Sequence, residues 1–89
     1  MSLQCPLLTR NNYASWALRM RVILQAHSVW DAVIKDDIDE HMDRQAIAVI
    51  YQGILEDVLL MLAENDSAKK TWEALKVIHM GAERRNFRP

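Results

Sequence analysis

Three histidines and one cysteine are the side chains best suited to metal binding or nucleophilic chemistry. His27, His41 and His79 lie far apart, and none has a second His or a Cys at the short spacing of a zinc site. We therefore expect His27 and His79 to pack near helix ends, where a helix C-terminus favours positive charge. His41 is expected to form a local pair with Asp37. Because Cys5 is the only cysteine, an intrachain disulfide is excluded, and we expect an inert thiol in a frayed segment.

An acidic cluster is the second candidate for chemistry, formed by Asp36, Asp37, Asp39 and Asp43. It lacks the glycine and the terminal glutamate of a calcium-binding loop. With two glycines in the whole chain, the sequence also has no phosphate-binding loop and no nucleophile elbow. The sequence therefore predicts no metal, no cofactor, no small-molecule substrate and no enzymatic activity.

The tryptophans Trp16, Trp30 and Trp72 allow two interpretations. A tryptophan buries a large area, so a role as a core anchor is favoured. The alternative is stacking on nucleic-acid bases, which requires an exposed ring with nearby Arg or Lys. Trp16 and Trp72 fall on the apolar faces of their predicted helices, which supports the core interpretation.

Helices alone are predicted to position these residues. The chain has 89 residues, of which 51% are hydrophobic, and its two Gly and two Pro are too few to mark the turns of a β-sandwich or barrel. Apolar residues instead recur every three or four positions. We predict an all-α fold, a small orthogonal bundle of four to five short helices at about 13–27, 28–34, 41–53, 55–63 and 67–80.

Polar residues at the predicted helix starts are candidate caps. Asn12 is predicted to cap the first helix, Ser28 the second, and Asp66 or Ser67 the last. The inward face of the fourth helix is predicted to hold Leu55, Val58, Leu59 and Leu62. The inward face of the last helix is predicted to hold Ala68, Thr71, Trp72, Leu75, Ile78 and His79.

The glycines and prolines set the predicted boundaries. Gly53 is expected to break a helix and Gly81 to end the last one. Pro6 and Pro89 are expected outside the fold. The sequence thus predicts one helical domain at 8–81, followed by a basic flexible tail at 82–89.

The net charge of −1 conceals a strong asymmetry: +2 over residues 1–33, −7 over 34–66 and +4 over 67–89. We interpret the acidic block as a solvated face with helix-start charges; the alternative is complementarity between copies or with a basic partner. No stretch is long and apolar enough for a transmembrane helix, and no signal peptide is visible, so a cytoplasmic location is expected.

Two ordered patterns resemble the Gag polypeptide of plant copia-type LTR retrotransposons. The first comprises Leu8, Asn12, Tyr13, Trp16, Met20 and Leu24, followed by Val29, Trp30, Asp31 and Val33. The second comprises Ile47, Ile54, Leu55, Val58 and Leu59, followed by Ser67, Ala68, Trp72 and Leu75. Both occur in the family's order and spacing, and together they span residues 8–81.

The resemblance implies an all-helical, capsid-like module whose copies associate into a particle. It implies framework roles for Tyr13, Trp16, Met20, Trp30 and Trp72; the apolar periodicity adds Leu24, Ile50, Leu59 and Leu75 as core positions. The sequence departs from the family at its C-terminus, where the zinc knuckle and protease signature are missing. We therefore expect an incomplete, truncated Gag fragment.

The favoured hypothesis is a protein–protein association module whose partners are itself or longer Gag copies. The first alternative is nucleic-acid binding through the basic ends, namely Arg19, Arg21, Lys69, Lys70, Lys76, Arg84, Arg85 and Arg88. The second is a relic with no retained function.

Overall fold

The described residues form five α-helices. The structure, a computed structural model, describes residues 5–86, with side chains to residue 79. The helices are α1 (Tyr13–Ala26), α2 (Asp31–Ile34), α3 (Glu40–Gln52), α4 (Glu56–Leu62) and α5 (Ala68–Asn86), and residues 5–86 contain no strand. Helix α5 packs on α2 and α3, and α3 packs on α2 and α1. The all-α prediction is confirmed.

The core forms where the predicted apolar faces meet. Helix α1 buries Trp16, Met20, Ile23 and Leu24, at the three- and four-residue spacing expected of one helix face. Helix α3 contributes Ala46, Ile47, Val49 and Ile50, and α5 contributes Ala68, Thr71 and Leu75. The buried Thr71 hydroxyl donates to the carbonyl of Ser67 at 2.8 Å, which satisfies the polar atom.

Side chains cap the starts of two helices; the Ser67 cap was predicted, whereas the acidic loop was predicted only to place negative charge at a helix start. The Asp39 carboxylate accepts the backbone N–H groups of His41 and Met42, so the acidic loop does start α3. The Ser67 hydroxyl accepts from the backbone of Lys70 and caps α5. Because α3 begins at Glu40, Asp37 lies outside the helix, and no hydrogen bond or ion pair within the described residues joins it to His41.

The predicted capping roles of Asn12 and Ser28 were wrong. The Asn12 side chain turns back to Thr9 and Leu7 and makes no cap bond to α1. Ser28, with φ of 60°, ends α1 instead of starting α2. The backbone N–H groups of Ser28 and Val29 donate to the carbonyls of Gln25 and Leu24, the two bonds of a Schellman motif.

Gly53 interrupts the chain between α3 and α4, as predicted, but Gly81 does not end α5. The helix continues to Asn86, so residues 82–86 of the predicted tail are helical, and residues 87–89 lie outside the described part. A glycine inside a helix costs only about 1 kcal/mol, and the neighbouring Ala, Glu and Arg residues are good helix formers.

Pro6 belongs to the fold, contrary to prediction. Its carbonyl accepts a hydrogen bond from the Trp16 indole at 3.0 Å, and the same indole N–H donates to the carbonyl of Gly53 at 3.0 Å. Cys5 is also half-buried, with its thiol 3.8 Å from the carbonyl of Val49, so it is not frayed. The N-terminal segment therefore packs across α1 and the end of α3.

Two residues predicted to face inward are exposed. Leu55 precedes α4 in an extended conformation, so it does not share the face of Leu62. Ile78 lies at the edge of the buried face of α5. Leu62 is the buried residue of α4, and Val58 and Leu59 are half-buried.

Candidate association surfaces

A chain of aromatic rings fixes α1 against α5 and the start of α2. The Trp16 and Trp72 rings stack with centroids 5.7 Å apart, and Trp30 meets Trp72 edge-on at 5.3 Å. Tyr13 stacks on His79 at 5.2 Å. These aromatic rings therefore pack against one another between helices of the same molecule.

The predicted framework residues lie in the core or at its edge. Met20, Leu24, Ile50 and Leu75 are fully buried, and Trp16 is 1% exposed. Tyr13, Trp30, Leu59 and Trp72 are half-buried. The predicted packing role of His79 agrees with its ring stack, whereas His27 is exposed at the end of α1.

The outer face of α1 carries an exposed apolar pair. Leu18 and Val22 are 62% and 56% exposed and lie one helical turn apart. Helical geometry places Arg21 on one side of the pair and Arg19 on the other, and α1 contains no acidic residue. We call this surface, formed by Leu18, Arg19, Arg21 and Val22, the α1 outer face.

A hollow of about 610 Å³ adjoins the α1 outer face. Cys5 and Pro6 line it together with Leu18, Val22 and Ile23. Burial raises the pKa of the Cys5 thiol, so the hollow is lined by a neutral thiol, apolar groups and the charged Arg19 side chain.

Residues 8–34 match the family profile of a domain of unknown function, DUF4219. The match covers less than a third of the chain and contains α1, its Schellman motif and α2. No curated protein and no solved structure matches this chain.

A second exposed apolar pair lies on α4, outside the DUF4219 segment. Leu60 and Met61 are 68% and 64% exposed. Glu56 and Asp57 in the first turn, and Glu64 just after the helix, share this side of α4, and the chain has no basic residue from 53 to 66. We call this surface, formed by these five residues, the α4 outer face.

The predicted nucleic-acid contacts do not form one basic patch in the described residues. Lys69 pairs with Asp36, and Lys70 pairs with Asp66 at 3.2 Å. Arg19 lines the α1 hollow, a different cavity from the one that both lysines line. Lys76 is exposed on α5. The side chains of Arg84, Arg85 and Arg88 lie outside the described residues.

The larger cavity is a groove of about 1090 Å³ along α5, with walls from the α2–α3 loop, α3, the end of α4 at Met61 and Leu62, and the turn before α5. Its charges are largely engaged within the fold: Asp43 accepts the backbone N–H of Ala68 at 2.8 Å, and Lys69 pairs with Asp36. In the searched, described residues no group of three His, Cys, Asp or Glu could hold a metal ion. No described helix is long and apolar enough to span a bilayer.

The apolar pair on α1 was missed in the sequence. Leu18 and Val22 fall off the stripe of Trp16, Met20 and Leu24, and neither was among the predicted core or contact residues. An apolar pair four residues apart, outside the main stripe, was the available signal.

Proposed function

We propose that this chain is a non-catalytic helical module that acts by self-association and is related to retrotransposon Gag polypeptides. The observation that carries the proposal is the pair of apolar outer faces on α1 and α4. Single exposed apolar residues are ordinary on protein surfaces. Adjacent pairs on one helix side are typical of a surface that another protein covers.

The relation to Gag rests on the sequence. DUF4219 is a domain found at the N-termini of retrotransposon Gag-like proteins, and it matches residues 8–34 here. The assignment to copia-type elements of plants rests on the ordered residue patterns of both halves. In this proposal the module is capsid-like and cytoplasmic, and its partners are second copies or longer Gag chains.

The two faces are small, which sets the expected strength of association. Each outer face offers two large apolar side chains with charged neighbours. Contacts of this kind belong to the class of weak interfaces that bury less than about 1,200 Å². Association is therefore expected at high protein concentration.

Sedimentation velocity tests the proposal on the full chain. The weight-average sedimentation coefficient should rise as the concentration increases from about 10 µM to about 1 mM. A double variant, Leu18→Ser with Leu60→Ser, should sediment as a monomer throughout this range. A wild-type chain that stays monomeric at every concentration would overturn the proposal.

Nucleic-acid binding is the less supported alternative, because Lys69 and Lys70 are already paired with acids. It predicts RNA or DNA binding that weakens steeply with added salt. A gel shift at low salt, combined with a monomeric chain in sedimentation, would favour this alternative over self-association.

A further inference from the structure

We infer that the two outer faces bind each other: the α1 outer face of one copy contacts the α4 outer face of the next. This inference rests on the proposed self-association and names its two surfaces. The contact is head to tail, so each copy uses a different face toward each neighbour.

Charge complementarity selects this pairing. Arg19 and Arg21 flank the apolar pair of α1, which has no acidic residue, and the Arg21 guanidinium lies over the Trp30 ring, 5.8 Å from its centroid. Three acids, Glu56, Asp57 and Glu64, lie on the same side of α4 as its apolar pair, and residues 53–66 contain no base. Met61 also borders the groove that Arg44, Lys69 and Lys70 line, where both lysines are already paired with acids. Pairing α1 with α1 would bring arginines together, and pairing α4 with α4 would bring carboxylates together; both juxtapositions are unfavourable. Only the mixed pairing brings opposite charges together around an apolar centre.

The shapes of the two faces agree with this pairing. The α1 outer face borders a hollow lined by Cys5, Pro6 and Ile23. On α4, Leu60 and Met61 are among the most exposed large apolar side chains of the described residues. The unbranched methionine side chain adapts readily to an irregular hollow. Docking α4 onto α1 therefore covers both apolar pairs at once.

A head-to-tail contact has a structural consequence. It leaves an unused α1 face at one end of every dimer and an unused α4 face at the other. Such heterologous contacts propagate into open chains or close into rings. The wild-type chain should therefore form a series of oligomers that does not stop at a dimer.

Two single variants test the pairing by complementation. Leu18→Glu places an acid on the α1 outer face, where it opposes the acidic α4 face. Leu60→Glu adds a fourth acid to the α4 outer face. Both positions are more than 60% exposed, so both variants should fold. Each variant alone should show a dissociation constant for self-association at least about tenfold weaker than wild type.

Mixing the two variants should restore one contact. The intact α1 face of Leu60→Glu binds the intact α4 face of Leu18→Glu, and the two altered faces repel. Sedimentation velocity of the equimolar mixture should show a discrete 1:1 dimer that does not grow further. Addition of about 0.5 M NaCl should dissociate this dimer, because exposed charges are screened within about 5 Å at that ionic strength.

The control is Ile34→Glu, which alters a residue that is 52% exposed at the end of α2 and lines neither the groove beside Met61 nor the hollow beside Leu18, and which should oligomerise like wild type. If either Leu variant alone associates like wild type, or if the mixture stays monomeric while wild type oligomerises, the head-to-tail pairing is overturned and the proposed function stands. A monomeric wild type overturns the proposed function itself.

Discussion

Helices α1 and α4 both present large apolar side chains to the surface, yet they are anchored very differently. Helix α1 has 14 residues, buries four side chains and ends in a Schellman motif, in which the Val29 N–H donates to the Leu24 carbonyl. Helix α4 has seven residues and buries only Leu62 fully. Exposed apolar area therefore accompanies both strong and weak anchoring in this fold. The apolar pair on α1 is additional to a well-packed helix, whereas α4 leaves two of its five large apolar side chains, Leu60 and Met61, exposed.

The difference in anchoring between α1 and α4 determines how each helix responds to self-association. A helix with few buried contacts opens locally at a low free-energy cost. A partner that binds the closed form stabilises it by mass action. Docking should therefore change the stability of α4 more than that of α1.

Gly53→Ala is expected to have the largest effect on stability, because it disturbs the contacts that anchor α1. A Cβ at this position would lie 2.8 Å from the carbonyl oxygen of Pro6 and 3.0 Å from the Trp16 indole nitrogen. The N-terminal segment must then move away from α1, and its hydrogen bond to Trp16 weakens. We expect a loss of about 1–3 kcal/mol in the free energy of unfolding, measured by urea denaturation with circular dichroism.

Gly81→Ala is the matched control for this change. Gly81 lies inside α5, so alanine should raise the free energy of unfolding by up to about 1 kcal/mol through helix propensity. If both alanine variants were equally stable, the close contact of Pro6 with Gly53 would not contribute to anchoring α1.

Hydrogen exchange compares the two helices directly. At low protein concentration, the Leu62 amide of α4 should be protected at least about tenfold less than the Leu24 amide of α1, because α4 opens without global unfolding. At a concentration where the chain self-associates, the protection of Leu62 should rise more than that of Leu24. Equal protection of the two amides at low concentration would contradict the proposed difference in anchoring.

Spacing and local chemistry explain what the sequence could predict. The buried face of α1, the break at Gly53, the acidic start of α3 and the Ser67 cap depend on residues within a few positions of one another. The predicted helix boundaries therefore agreed closely with the structure, apart from the start of α2 and the end of α5.

Long-range contacts explain what the sequence could not predict. The place of Pro6 depends on Trp16 and on Gly53, which is 37 residues from Trp16. Asn12 does not cap α1 because its side chain hydrogen-bonds to the backbone of Thr9 and Leu7. The path of that segment depends on the hydrogen bond between Pro6 and Trp16. The candidate surfaces could be predicted only in part: residues 55–63 form a strongly apolar run in the sequence, whereas Leu18 and Val22 were not singled out.

The smallest expected effect concerns the turn that follows α4. The Lys70 side chain donates a hydrogen bond to Asp66, and with its positive charge lowers the pKa of that carboxyl. A carboxyl with a lowered folded-state pKa stabilises the fold above its unfolded pKa, and this contribution is lost as the pH falls through the folded pKa. Asp66→Asn should therefore have a slightly lower urea midpoint than wild type at pH 7, and the difference should vanish once the pH falls below the lowered pKa of Asp66. Glu64→Gln, an exposed acid with no ion pair among the described residues, should not show this pH-dependent difference. If the urea midpoints of both variants change equally with pH, the Lys70–Asp66 pair does not stabilise the turn. Helix α4 would then be held in place by Leu62 and by the partner that covers its outer face.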